Sequence, residues 1–220
     1  MIRRLALLTA FAPALAVSLL GEAGAAGQEA PAACASAAWL EPAAAGAATA
    51  AAATAAADAA PAYLAAPAPA WLTAELTDAC SGETFTLADF AGKTAYVEAM
   101  ATWCPSCRDQ LTRVKDAAAR IPEEERDDIV LVALSSEVDL PRETLAAYAA
   151  ANDFPFIFAV MPAEMLKAMA DDLGQEITVP PATPHLIVAP DGTIGELHTG
   201  SASPEEILAL VAEARETPAS

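Results

Sequence analysis

The chain has 220 residues, 55% of them apolar, with 30 acidic side chains against 11 basic ones and a formal net charge of −19. That balance excludes nucleic acid and anionic membrane surfaces as main partners, because both require clustered Lys and Arg. The length allows one domain, or one domain with tails.

Arg3 and Arg4 precede an uncharged run from Leu5 to Leu20, and small residues follow, with Ala23-Gly24-Ala25 offering a cleavage site. A basic head, a short apolar run and a small-residue exit predict a secretory signal peptide over 1–26. Left uncut, the same segment would be an N-terminal membrane anchor. Pro13 interrupts the run, which is short of the roughly 20 residues that a span needs. The Arg pair is a weak twin-arginine match. Cys34 lies too far from the apolar run to be a lipoprotein cysteine. The expected location is therefore periplasmic or otherwise extracytoplasmic, either soluble after cleavage or held by the N-terminus.

Residues 27–70 are rich in Ala and Pro, and from 41 to 70 only Glu41 and Asp58 are charged. Ala50 to Ala60 has helical propensity, but the prolines from 61 to 69 would end any helix. Too few large apolar groups are present to build a core, so 27–70 reads as a low-complexity linker.

From Trp71 large apolar residues recur between turn signals, and 71–217 reads as one domain. Thr84 to Leu87 alternates as a short strand. Thr94 to Met100 is a mostly apolar run suited to a central strand buried on both faces. Residues 105–120 read as a helix with Pro105 in its first turn. Ile129 to Leu134 is a buried strand, Arg142 to Ala151 a helix introduced by Pro141, and Phe156 to Val160 another strand. Pro162 to Leu173 is helical and Gly174 closes it. His185 to Val188 and Thr193 to His198 read as strands joined across Asp191-Gly192. Ser203 to Glu206 opens a last helix with a capping box. Helices alternating with apolar strands imply an α/β sheet with helices on both faces.

Ala101 to Arg108 reads A-T-W-C-P-S-C-R, directly after the central strand and opening a helix. A C-x-x-C in a strand-to-helix setting is a thioredoxin-like redox motif. Cys104 at a helix N-terminus meets unpaired N–H groups and the positive end of the dipole, which favour the thiolate, the attacking species. Cys107, one turn on and more buried, would resolve the mixed disulfide. Half of a zinc site is the competing reading, but Cys34, Cys80, His185 and His198 supply no second closely spaced pair.

With Phe85 to Leu87, Gly92-Lys93, Ala101 to Cys104, the extra α-β insertion, and Ala182 to His185 leading to Asp191-Gly192, the chain resembles the thioredoxin superfamily. Within it, the chain more closely resembles the periplasmic TlpA/ResA-type thiol–disulfide oxidoreductases, over about residues 71–217. The resemblance implies a thioredoxin-like fold, a central mixed β-sheet flanked by helices with an extra α-β insertion. It implies an enzyme, acting as a monomer without a bound cofactor or metal, that reduces disulfides of exported proteins such as apocytochromes c or copper-site proteins. Electrons would come from a membrane thiol–disulfide donor. It further implies a cis peptide at Pro184 facing the cysteine pair, substrate contacts from Trp103, Thr183 and His185, and a buried acid, Glu98, that exchanges protons with the resolving thiol. Two lone cysteines in an oxidising compartment often pair, so Cys34 and Cys80 form a candidate bridge. Free thiols, or Cys34 linked to another protein, are the alternatives.

Two other functions stay open. A disulfide-forming oxidant would use the same dithiol at a higher potential. A copper-binding thiol chaperone would need a further soft ligand or His185. A peroxidase is disfavoured because Ala101 stands where peroxiredoxins carry threonine.

Overall fold

A computed structural model of the chain describes residues 68–216 and Cys34. The signal peptide or anchor assigned to 1–26 lies outside them, as does the 27–70 linker apart from Cys34 and 68–70. Among the described residues no helix is long and apolar enough to cross a membrane.

Four strands form the main sheet, in the order β5-β4-β3-β6. The centre is β3 (Thr94–Met100), buried along its whole length. It pairs in parallel with β4 (Ile129–Ser135), from Thr94 opposite Ile129 to Met100 opposite Ser135. On its other side it pairs antiparallel with β6 (His185–Val188), and Glu98 stands opposite His185. β5 (Ile157–Val160) joins β4 in parallel. A short antiparallel ribbon, β1 (Leu76–Thr77) with β2 (Thr84–Phe85), precedes the sheet. The helices are α1 (Pro105–Ala118), α2 (Arg142–Ala151), α3 (Ala163–Leu173) and α4 (Pro204–Glu216).

Alternation along the strands gives the sheet two apolar faces, as a strand's period of two requires. Ala95, Val97 and Ala99 share one core with Trp71, Leu76, Leu87 and the α3 side chains Met165 and Met169. Tyr96 and Met100 face the other core, filled by Leu111 and Val114 of α1, Leu145 of α2 and Ile207 of α4. The expected α/β architecture with helices on both faces and a mixed sheet is therefore present.

Two segments depart from expectation. Only Thr84–Phe85 of the first segment is strand, and Leu87–Phe90 turns into a short 3-10 helix in which the Thr86 N–H donates to Asp89 Oδ2. The arm after Asp191-Gly192 returns along β6, but it touches only as isolated bridges, Val188 with Ile194 and His185 with His198. Residues 185–188 thus oppose the longer stretch 194–198, a β-bulge. Gly195 sits in the bulge, where a Cβ would lie 3.1 Å from the Ile187 carbonyl oxygen. The last helix starts as its sequence implies, with the Ser203 N–H on Glu206 Oε2 and the Glu206 N–H on Ser203 Oγ.

Candidate active site

The buried strand β3 delivers the chain to the carboxyl end of the sheet, where a tight loop leads into α1. Glu137, from the loop after β4, fixes that connection: its Oε2 accepts from the Thr102 N–H at 2.5 Å and from Thr102 Oγ1 at 2.8 Å. Cys104 then occupies the cap position of α1, with φ −90° and ψ 110°, and Pro105 begins the helix. Cys104 Sγ accepts from the Cys107 N–H at 3.1 Å and lies 3.3 Å from Ser106 Oγ. It therefore takes the place of a capping oxygen, where donors and the helix dipole favour negative charge.

Cys104 and Cys107 are joined as a disulfide with a Cα–Cα distance of 5.3 Å. Both are buried, at 1% and 0% exposure, so burial does not separate their roles in this state. They differ in position: Cys104 caps the helix and Cys107 lies inside it. Trp103, next to Cys104, is 62% exposed.

The turn before β6 covers the pair. Cys107 Sγ lies 3.1 Å from the Pro180 carbonyl oxygen, and Ser106 Oγ is 3.1 Å from that of Pro181. In the bonded state the first is a contact, and after reduction it gives the Cys107 thiol an acceptor. Thr183 follows in the left-handed region, φ 47° and ψ 54°, an uncommon conformation for a β-branched residue. Its side chain is buried, and Oγ1 has no hydrogen-bond partner among the described residues. The Pro184 carbonyl accepts from the Ala99 N–H at 3.0 Å, which registers this turn on β3.

Glu98 is buried on the sheet face that α1 covers. Tyr96 Oη donates to its Oε2 at 3.0 Å, whereas Oε1 has no partner among the described residues. Burial pushes the carboxyl up to about 8, against a smaller opposing effect of the Tyr96 hydrogen bond. Near neutral pH the group is mostly uncharged.

His185 lies opposite Glu98 and is buried rather than standing beside exposed Trp103. Its ring stacks between Tyr96 and His198, at centroid distances of 5.5 and 5.6 Å. Nδ1 is 2.9 Å from the Thr183 carbonyl oxygen, which can only accept, so Nδ1 carries the proton. Burial lowers the His185 pKa. His185 lines a cavity of about 360 Å³ with His198, Gly200, Ser201 and Glu206, and neither cysteine lines it. Among the described residues no three His, Cys, Asp or Glu side chains converge as a metal site.

Away from this centre, Cys34 and Cys80 are bonded, with a Cα–Cα distance of 5.4 Å. Asp78 shapes the turn that holds Cys80 by accepting from the Ser81 N–H and hydroxyl. Arg142 reaches from α2 to the Ala79 carbonyl.

The sequence reading missed Glu137, the Pro180 and Pro181 carbonyls, Tyr96 and Gln110. Gln110 alone left a signal: it is a polar residue on the face of α1 that buries Cys107, Leu111 and Val114.

A family model described as Redoxin matches residues 45–211. Among curated proteins none matches the chain. A thiol:disulfide interchange protein of the thioredoxin family from Chlorobium tepidum superposes with a TM-score of 0.51 at 19% identity, covering 68% of this chain and 97% of the other. BsSco, of the Sco family of cytochrome c oxidase assembly proteins, gives 0.52 at 16% identity over 64% and 90%. An exposed lipoprotein thioredoxin from Streptococcus pneumoniae gives 0.50 at 21% over 64% and 98%. At these identities the likeness establishes a common thioredoxin-like fold.

Proposed function

The chain belongs to the Redoxin family as a thiol–disulfide oxidoreductase of thioredoxin-like fold, and on that basis we propose that it reduces disulfides in specific exported proteins. The observation that carries this reading is Cys104 at the cap of α1, its sulfur accepting the Cys107 N–H, beside the exposed ring of Trp103.

In the reduced enzyme the Cys104 thiolate attacks one sulfur of a protein disulfide. The substrate S–S bond breaks, and one substrate sulfur leaves as a thiolate that takes up a proton. Cys107 then gives up its proton to Glu98 in its ionised form, by way of a bridging water because no direct contact joins the two among the described residues, and attacks Cys104 Sγ. The Cys104–Cys107 bond forms, and the second substrate sulfur leaves as a thiolate that takes up the second proton. The substrate gains two electrons and two protons, and the enzyme ends as the disulfide seen here. Trp103 offers an apolar contact beside the reacting sulfur, and the Thr183-Pro184 turn borders the same end of the sheet. A membrane thiol–disulfide donor would return the two electrons.

The N-terminal signal pattern supports an extracytoplasmic location, with the segment either removed or kept as an anchor. The likeness to a protein of the Sco family of cytochrome c oxidase assembly proteins supports targets in respiratory oxidase assembly. A copper-carrying use of the thiols has less support, because His185 faces a cavity that neither cysteine lines. Cys107→Ser tests the assignment: the reduced variant should accumulate covalent complexes with exported proteins through Cys104, released by dithiothreitol. Cys104→Ser should form none. Equal trapping by both variants would refute the assigned roles.

A further inference from the structure

Behind the cysteine pair runs a buried polar chain in one fixed direction. The Ala202 N–H, in the loop before α4, donates to Gln110 Oε1 at 3.0 Å. That bond leaves the carboxamide nitrogen as the donor on the other side, 3.5 Å from Tyr96 Oη. A hydroxyl that accepts from an amide keeps its own proton free to give. Tyr96 gives it to Glu98 Oε2 at 3.0 Å. Tyr96, Glu98 and Gln110 are all buried, at 1%, 0% and 0% exposure.

From this geometry we infer that Tyr96 and Gln110 are positioning residues for the proton step. Tyr96 holds Glu98 by Oε2 and leaves Oε1, which has no partner among the described residues, as the oxygen that receives the Cys107 proton by way of water, while Gln110, anchored on Ala202, orients the Tyr96 hydroxyl. This role presupposes the dithiol chemistry proposed above.

The surroundings make the single hydrogen bond count. Around Glu98 stand Tyr96 on its own strand, His185 on β6 with His198 behind it, the cysteine pair on α1 and Tyr148 on α2. Burial withdraws His185 from protonation. Burial also keeps both phenols in the neutral form. Among the described residues no cation offsets the burial of Glu98, and the Tyr96 hydroxyl is what opposes it. Removing that donor should therefore disfavour the carboxylate, and with it the deprotonation of Cys107.

The test follows oxidation of the reduced full chain by oxidised glutathione from pH 5.5 to 10, by stopped flow. The wild type should show a step in rate that Glu98→Gln abolishes. In Tyr96→Phe, which keeps the ring stacked on His185, the step should move upward by about one pH unit, a roughly tenfold loss of rate below it. Gln110→Leu should shift it in the same direction by less, and serves if Tyr96→Phe does not fold. Carboxyl NMR with ¹³C-labelled glutamate, assigned by loss of a signal in Glu98→Gln, reads the same shift without turnover. A step left at the wild-type pH in both variants would overturn the positioning role, even if their melting temperatures fell. A wild type and a Glu98→Gln variant with identical profiles would instead remove Glu98 from the reaction, and the positioning role with it.

Discussion

Cys107 Sγ meets the carbonyl oxygen of Pro180 at 3.1 Å, although the two residues are 73 positions apart in the chain. The contact joins the start of α1 to the turn before β6. Both segments end at one place because β3 pairs directly with β6 and their register is fixed, Glu98 to His185. The redox site is thus built from a helix start, which carries both cysteines, and a turn that is its neighbour only in the folded sheet.

Burial of Glu98 links stability to pH. Its carboxyl is raised from an ordinary value of 4.5 to about 8 in the folded protein. Between those limits the folded state binds the extra proton, so this contribution is fully present below pH 4.5 and is lost as pH rises through 8. Lowered His185 acts in the opposite sense near its ordinary value of 6.5, so the comparison must be differential. Relative to Glu98→Gln, the wild type should lose stability with rising pH between about 5 and 8, by up to about 1.4 kcal/mol per pH unit. Urea unfolding of both proteins at several pH values measures it, and parallel curves would contradict the burial account.

Glu137 holds the loop that carries the motif. Its carboxylate accepts both the N–H and the hydroxyl of Thr102. Glu137→Ala should lower the unfolding free energy of the oxidised protein by about 1–3 kcal/mol, because it leaves a partly buried N–H unpaired. Glu137→Gln keeps an acceptor oxygen and should recover most of the loss. An unchanged urea midpoint in Glu137→Ala would show that the loop holds without it.

The Cys34–Cys80 bridge closes a loop across a sequence separation of 46. On the chain-entropy account, opening it should cost about 4 kcal/mol of stability. Cys80→Ser, or selective reduction, should produce that loss in calorimetry while leaving dithiol exchange at Cys104 intact. Alkylation of the unreduced protein checks the bridge itself, since labelling of both Cys34 and Cys80 would show that it is absent.

Much of this fold was legible locally. β3 and α2 run over the residues anticipated, Thr94–Met100 and Arg142–Ala151, because an apolar run bounded by turns and a proline at a helix start are local signals. The arm after Gly192 was not, because the bulge at Gly195 breaks the pairing that an Asp-Gly turn announces, and a bulge leaves no periodic mark. The C-x-x-C showed itself by spacing. Glu137 and Pro180 reach the site through long-range pairing, which one sequence does not display. His185 adjoins the turn as anticipated, yet strand alternation points its ring to the Tyr96 face and into the core, not toward Trp103.

The most direct test of the oxidoreductase account is the reduction potential of the Cys104–Cys107 pair, obtained by equilibrating the full chain in dithiothreitol or glutathione buffers. Alkylation and mass analysis of the peptide that holds both cysteines count the thiols separately from Cys34 and Cys80. A reductase predicts one two-electron transition near the thioredoxin end of the range, roughly −270 mV. A transition near −120 mV would reverse the direction and make the protein a disulfide donor. No two-electron transition at that peptide would contradict the oxidoreductase account itself.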